Sequence, residues 1–194
     1  MKHNLTLEGM AFRLRPIEDV DASLILNLRS NPNLNRFLHV TSTLLEDQLI
    51  WLSDYYIRPG DYYFVVERRE TGEAEGVVSI YNIDATNKSG EWGRWILRQG
   101  SLAAAESALL IYRCGFELLG LERVYCRTVA DNSSVVSFHD SCGIRDRVLL
   151  KNYFDLGGQR VDAVEHGVKR QNWPDVALGL ENLARIVAQR LNRG

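Results

Sequence analysis

The chain's apolar positions change period several times, and those changes divide it into elements. "FRLRPIEDVDASLILNLRSNP" opens with alternating Phe12 and Leu14, and after Pro16 apolar residues recur at Val20, Leu24 and Leu28. That pattern predicts a short strand and then a helix closed before Pro32. In "STLLEDQLIWLSDYY", Leu45, Leu49 and Leu52 define a second helix, with Ser42 or Thr43 placed to cap it. Past Pro59-Gly60, "YYFVVER", "GEAEGVVSIYNID" and "GEWGRWILR" are rich in β-branched and aromatic residues with short polar connections, one of them at Gly72. Together they predict an antiparallel meander of three strands.

The helical period returns in "LAAAESALLIYRCGFELLG", which Gly120 should stop. "LERVYCRTVA" then alternates Val124, Cys126 and Thr128 against polar neighbours, and "NSSVVSFHDSCG" is a short helix whose inward stripe is Val135, Phe138 and Cys142. Strand, helix, strand, helix implies a crossover unit. "VLLKNYFDLGGQRVDAVEHGVKR" reads as a hairpin around Gly157-Gly158. Beyond Pro174, Val176, Leu180, Leu183, Val187 and Leu191 form one face of a last helix. We expect a main domain over 1–174 and an amphipathic helix over 175–194, either docked on that domain or forming a homodimer contact.

Composition narrows the class. The 194 residues, 45% hydrophobic and 25% charged, fit one globular domain. A chain of this size can bury about 70% of its unfolded surface, so it needs no metal or disulfide staple. A net charge of −2 and a pI near 6.1 give no electrostatic reason to expect nucleic-acid or anionic-membrane partners. Cys114, Cys126 and Cys142 are odd in number and lack any C-x-x-C pairing, which suits buried thiols in a reducing compartment. The start "MKHNLTLEGMAF" has no signal-like apolar run, and no stretch approaches the ~20 apolar residues of a membrane span. A cytoplasmic location is the expectation. No zinc spacing, G-x-S-x-G elbow or phosphate-loop lysine is found, so a metal site is not expected.

The order of elements, with "GEWGRWIL", "GFELLGLERVYCRTVADN", "NSSVVSFHDSCGI" and "GGQRVDAVEHGVKRQNW", resembles the GNAT acetyltransferase superfamily over nearly the whole chain. Two branches come closest: N-acetyltransferases of nucleotide-linked amino sugars and ribosomal-protein N-terminal acetyltransferases. "EGVVSIYNID" running into "GEWGRWIL", and the histidine of "SFHDSCG", favour the sugar branch. The resemblance implies an α/β (α+β) GNAT fold: a twisted, mostly antiparallel mixed sheet with helices on both faces. Its fourth strand, "EWGRWIL", and fifth, "RVYCRTV", would splay to admit the thioester of acetyl-CoA.

The resemblance also implies roles. Glu91, at the start of the fourth strand, would be the general base toward the acceptor ammonium, or else a solvated strand-end glutamate. The superfamily pairs an asparagine with a tyrosine seven positions on; here Asn132 is followed by His139, which would protonate the departing thiolate or serve as a structural group. Backbone groups at Ile96 and Leu97 would polarise the thioester carbonyl. The superfamily's Gln/Arg-x-x-Gly-x-Gly/Ala cradle for pyrophosphate falls on Gln99, Gly100, Ser101, Leu102, Ala103 and Ala104, where helix-start amides and small side chains suit a diphosphate. Leu102 departs from that pattern, leaving room for a catalytically weak coenzyme-responsive or interaction module. His39, Asn82 and Asp84 are candidate acceptor contacts, although turns favour the latter two regardless of ligand. The expected reaction is direct acetyl transfer from acetyl-CoA to the amine of a nucleotide-linked amino sugar, with a protein amino terminus as the alternative acceptor.

Overall fold

A computed structural model of the protein describes residues 1–193; Gly194, the end of the last expected helix, lies outside the described residues. The meander forms as the alternation requires: β3 (Tyr62–Arg68), β4 (Ala74–Asp84) and β5 (Ser89–Leu97) pair antiparallel in sequence. β1 (Leu7–Glu8) and β2 (Phe12–Pro16) extend the sheet on the β3 side. On the other side stand β6 (Arg123–Val129), β8 (Gln159–Lys169) and the edge strand β7 (Asp146–Leu156). Gly157 and Gly158, both at positive φ, make the two-residue turn that joins β7 to β8. Among the described residues the sheet has eight strands, and β5–β6 is its one parallel pair.

Alternation sorts the side chains of β3 to two faces. Phe64 and Val66 join the larger core with α3 (Ala104–Arg113) and α5 (Trp173–Leu191). Tyr63 and Val65 join a smaller core under α1 (Ala22–Ser30) and α2 (Leu45–Tyr56). A bulge in β5 switches this parity: Ser79 of β4 faces Gly93 and Val77 faces Ile96, so Arg94 and Trp95 together oppose one residue. Trp92 therefore lies in the larger core and Ile96, four residues on, in the smaller. Arg94 sits at φ 48°, a conformation that an arginine adopts only when its surroundings hold it there.

Several details differ from the periodicity. The inward stripe of α1 is Ala22, Ile25 and Leu28; Val20 is exposed in a 3₁₀ turn before the helix and Leu24 is only half-buried. In α2 the buried positions are Gln48, Leu52 and Tyr55, whereas Leu45 and Leu49 are exposed; Leu44 occupies the N-cap, and neither Ser42 nor Thr43 does. In α4 (Ser133–Ser141) Val136 and His139 are buried, and Val135 and Phe138 flank them. α5 begins at Trp173, ahead of the expected 175, and buries Val176, Leu180 and Ala184 against α3 while Leu183 faces outward. Packing keeps part of each expected stripe, Leu28 in α1, Leu52 in α2 and Val176 and Leu180 in α5, and turns the remaining positions to neighbouring residues.

The connection from β5 to β6 also differs at its start. Ser101, Leu102 and Ala103 are not helical, α3 begins at Ala104, and its last turn widens into a π-helix over Cys114–Leu118 before Gly120 ends it at φ 66°. Gly115 is required there, since a Cβ would come within 2.6 Å of Val124 on β6. Glu106 fixes α3 to the sheet: its buried carboxylate accepts backbone N–H groups from Met10, Ala11 and Phe12 at the start of β2. Burial raises the Glu106 pKa, and those three N–H donors oppose the rise. Replacing Glu106 with alanine strands these donors in a dry site, and we expect a loss of about 2–4 kcal/mol in urea unfolding. A change within ~0.5 kcal/mol would show that the carboxylate does not anchor the helix.

Candidate active site

β5 and β6 pair only at Ser89↔Arg123, Gly90↔Val124 and Glu91↔Tyr125. Beyond that point the strands part, and the space between them opens into a cavity of about 1110 Å³. Glu91, Trp92, Ile96 and Leu97 line it from β5, Cys126, Arg127 and Thr128 from β6, and Asn132, Val135 and His139 from the α4 region. The segment between α1 and α2 forms the opposite wall, through Arg36, Phe37, His39 and Thr41. Phe154 of β7 meets the exposed His39 edge-on, at 6.4 Å between ring centroids, across the rim.

Glu91 stands at the fork and is only 6% exposed. Its Oε2 accepts hydrogen bonds from Arg127 Nη1 at 3.0 Å and Asn82 Nδ2 at 3.2 Å, while Tyr81 Oη lies 3.5 Å from Oε1. Asn82 reaches it because a register shift in β4 puts that residue at φ 52°. Burial raises the Glu91 pKa, and the Arg127 guanidinium and the Asn82 amide offset part of the rise. A partly desolvated carboxylate on a cavity wall is suited to accept a proton near neutrality.

His139 lies in the middle of the buried face of α4 and not at its border. Its Nε2 is 3.5 Å from Cys126 Sγ, and its Nδ1 is buried without a partner. Burial foremost, and then His166, push its pKa down to about 3, so the ring is neutral at physiological pH. Desolvation disfavours a standing imidazolium, so a part for His139 in protonating a thiolate would need a relay that feeds the ring. Cys126, 4% exposed, is held as a thiol because burial raises its pKa.

The other expected residues separate. Asn132, at the N-cap of α4, lines the cavity with Ile96 and Leu97. Gln99, Gly100, Ser101, Leu102, Ala103 and Ala104 lie outside its lining, the first five in the connection that follows β5, where Gly100 has φ 82°, and Ala104 at the start of α3. Ala103 is fully buried, its N–H donates to Ser101 Oγ, and that hydroxyl donates to the buried Glu75 at 2.6 Å. Asp84 does not meet the cavity; its carboxylate accepts from the Thr86 and Asn87 backbone in a turn. Sequence reasoning missed Tyr81, Arg94, Cys126 and Arg127. The polar partners interleaved with Val124 and Thr128 in β6 were the available signal for Arg127.

Charge along the wall is uneven. Arg94 is paired with Asp61 at 2.7 Å and Arg127 with Glu91 and Glu165. Arg29, Arg36 and Arg58 also line the cavity, and among the described residues none has a carboxylate within salt-bridge distance. No group of metal-ligating side chains is assembled among the described residues, and no described helix is long and apolar enough to cross a membrane.

Residues 12–145 match the model of the acetyltransferase (GNAT) domain family. Among solved structures, FdhC, a nucleotide-linked sugar GNAT, is 28% identical, with 91% of this chain and 96% of that one covered and a TM-score of 0.74. A GCN5-related N-acetyltransferase from Brucella melitensis is 19% identical, with coverage of 93% and 86% and a TM-score of 0.80. A spermidine N-acetyltransferase variant from Vibrio cholerae is 20% identical, with coverage of 85% and 97% and a TM-score of 0.73.

The pairing at the fork makes a measurable prediction. Removing the cation in Arg127→Leu should move the Glu91 carboxyl titration, followed by carbon-13 NMR of labelled glutamate, to higher pH than in the wild type. An unchanged midpoint would mean that Arg127 does not govern this carboxylate.

Proposed function

Because this chain belongs to the GNAT acetyltransferase family, whose members use acetyl-CoA as acyl donor, we propose that it acetylates the primary amine of a nucleotide-linked amino sugar. The observation that carries the acceptor class is that Arg29, Arg36 and Arg58 on the cavity wall have no carboxylate within salt-bridge distance, Arg29 donating instead to His39 O and Thr41 Oγ1. Three uncompensated guanidiniums favour a dianionic diphosphate and repel a polyamine. The likeness to FdhC, a nucleotide-linked sugar GNAT, supports the same class.

In this reading Glu91 takes the proton of the acceptor ammonium at the fork. The amine then attacks a thioester carbonyl held against β5, where backbone groups near Ile96 and Leu97 have no strand opposite them on the β6 side. The amides opening α3 at Ala104 and Ala105, reached past Gln99, Gly100, Ser101 and Leu102, hold the coenzyme pyrophosphate, since the first turn of a helix leaves its N–H groups without intrahelical partners. His39 and Asn82 border the acceptor end, and Asn132 borders the donor end. The protein works in the cytoplasm, where acetyl-CoA and free thiols coexist.

Mass spectrometry of reactions offering acetyl-CoA with UDP- or dTDP-linked amino sugars, amino-terminal peptides or spermidine tests the acceptor. We expect acetylation of a nucleotide sugar; modification of peptides or spermidine alone would overturn the assignment. Glu91→Gln should lower kcat by roughly 10²-fold, on the scale of general-base effects. In the wild type the base is lost as pH falls through the raised Glu91 pKa, so the acidic limb of kcat should lie above that of an ordinary carboxylate. The glutamine variant should lack that limb, and its persistence would remove Glu91 from the reaction.

A further inference from the structure

Three elements bring a second set of ionisable groups together behind the cavity. The β6–β8 register sets Cys126 opposite His166, so both side chains point to the face that carries α4. From α4, His139 lies with Nε2 3.5 Å from Cys126 Sγ and its ring centroid 5.1 Å from that of His166. His166 is fully buried, and its Nε2 is 3.0 Å from Oδ1 of Asp140. Asp140 is 40% exposed and faces Arg147 of β7 at 3.4 Å, so this end of the row touches solvent. The opposite end, Cys126, lines the cavity beyond the fork.

Two imidazoles in a dry site each leave Nδ1 without a partner. Such groups cost free energy, and an apolar pair of similar shape would avoid that cost. No hydrogen bond joins the two rings, whose centroids are 5.1 Å apart, so a proton crosses when a ring rotation brings a nitrogen of each within reach.

We propose that Cys126, His139, His166 and Asp140 form a proton path that carries a proton from solvent to the sulfur leaving group in the strand gap. The proposal rests on the acetyl-transfer reading above and assigns it a proton source. When the C–N bond forms and the C–S bond breaks, the Cys126 thiol gives its proton to the departing sulfur. His139 restores the thiol from Nε2 and takes a proton at Nδ1 from the His166 side. Solvent replaces that proton at the Asp140 end, and before the next turnover proton exchange with water, taking the proton from His139 Nδ1 and returning one to Nε2, resets the tautomers. One proton enters for each that leaves, and the ammonium proton goes separately to Glu91. His139 stays uncharged before and after the transfer, consistent with its burial. Cys126 is the member that meets the reacting sulfur; His139, His166 and Asp140 act through it.

Steady-state kinetics with the acceptor identified above and NMR of nitrogen-15 histidine test the path together. Cys126→Ala should lower kcat about tenfold or more at unchanged KM, and Cys126→Ser, which keeps an exchangeable proton, should restore most of the rate. Asp140→Asn, at a partly exposed position, should lower kcat with the melting temperature unchanged and should raise the solvent deuterium isotope effect. Wild-type kcat in Cys126→Ala, or equal losses in the alanine and serine variants, would overturn the path while leaving acetyl transfer intact. The NMR arm needs no turnover: in the resting protein His166→Gln should change the ratio of Nδ1-H to Nε2-H tautomer at His139. An unaltered ratio would overturn the path, whereas a failure of the wild type to acetylate any amine would instead overturn the functional reading.

Discussion

Beyond Glu91, β5 runs without a hydrogen-bonding strand on its β6 side, and the rest of the site depends on that gap. A buried strand edge is costly unless something else satisfies its amides and carbonyls. Here the gap is kept open from both sides. Trp92 meets Trp95 and His139 edge to face and Trp95 packs tilted on Phe138 between β5 and α4, and the bulge at Arg94 and Trp95 turns the end of β5 toward the other layer. The Glu91 carboxylate therefore sits where two paired strands become a cleft, which gives it burial on one side and access on the other.

The two kinds of ionisable group around the cleft divide the electrostatic task. In the proposed reaction Arg29 of α1, Arg36 of the segment after it and Arg58 beyond α2 would act at long range on an anionic acceptor. Inside, the buried Cys126 thiol and His139 imidazole are neutral, so neither would put a standing charge against one developing on sulfur. A charged histidine there would need a counter-ion, and the nearest carboxylate, Asp140, is bonded to His166 instead.

Much of this architecture was legible in the residues. The alternation of "YYFVVER" and "GVVSIYNID", the Gly157-Gly158 turn and the change to helical period after Gln99 fix the meander, the hairpin and the crossover, and Glu91, His139 and Asn132 do converge on one cavity. What the chain order hid is set by pairing at long range. Nothing near Cys126 announces that His166, forty positions away, will lie beside it, because that depends on the β6–β8 register. The arginine trio was hidden for a related reason: Arg29 lies in α1, Arg36 after it and Arg58 beyond α2, and only the folding of that layer over the cleft brings them to one wall. The start of α3 lies later than the helical period suggests because Gln99 and Gly100 form a turn closed by Ser101 N–H on Arg98 O, and the Ser101 hydroxyl is bonded to Glu75.

The sheet's two faces are covered unequally. The layer under α3 and α5 buries the longer set of side chains, including Trp92, Tyr112, Phe116 and Trp173, while α1 and α2 rest on a smaller cluster led by Leu52, Tyr55 and Tyr63. With less apolar area to expose, the α1–α2 layer can detach at a lower free energy than global unfolding, and its amides would exchange with solvent first. The cavity wall built by α1, α2 and the segment between them is thus also the part of the molecule best able to breathe, and local opening there widens the cleft while the layer under α3 and α5 stays rigid.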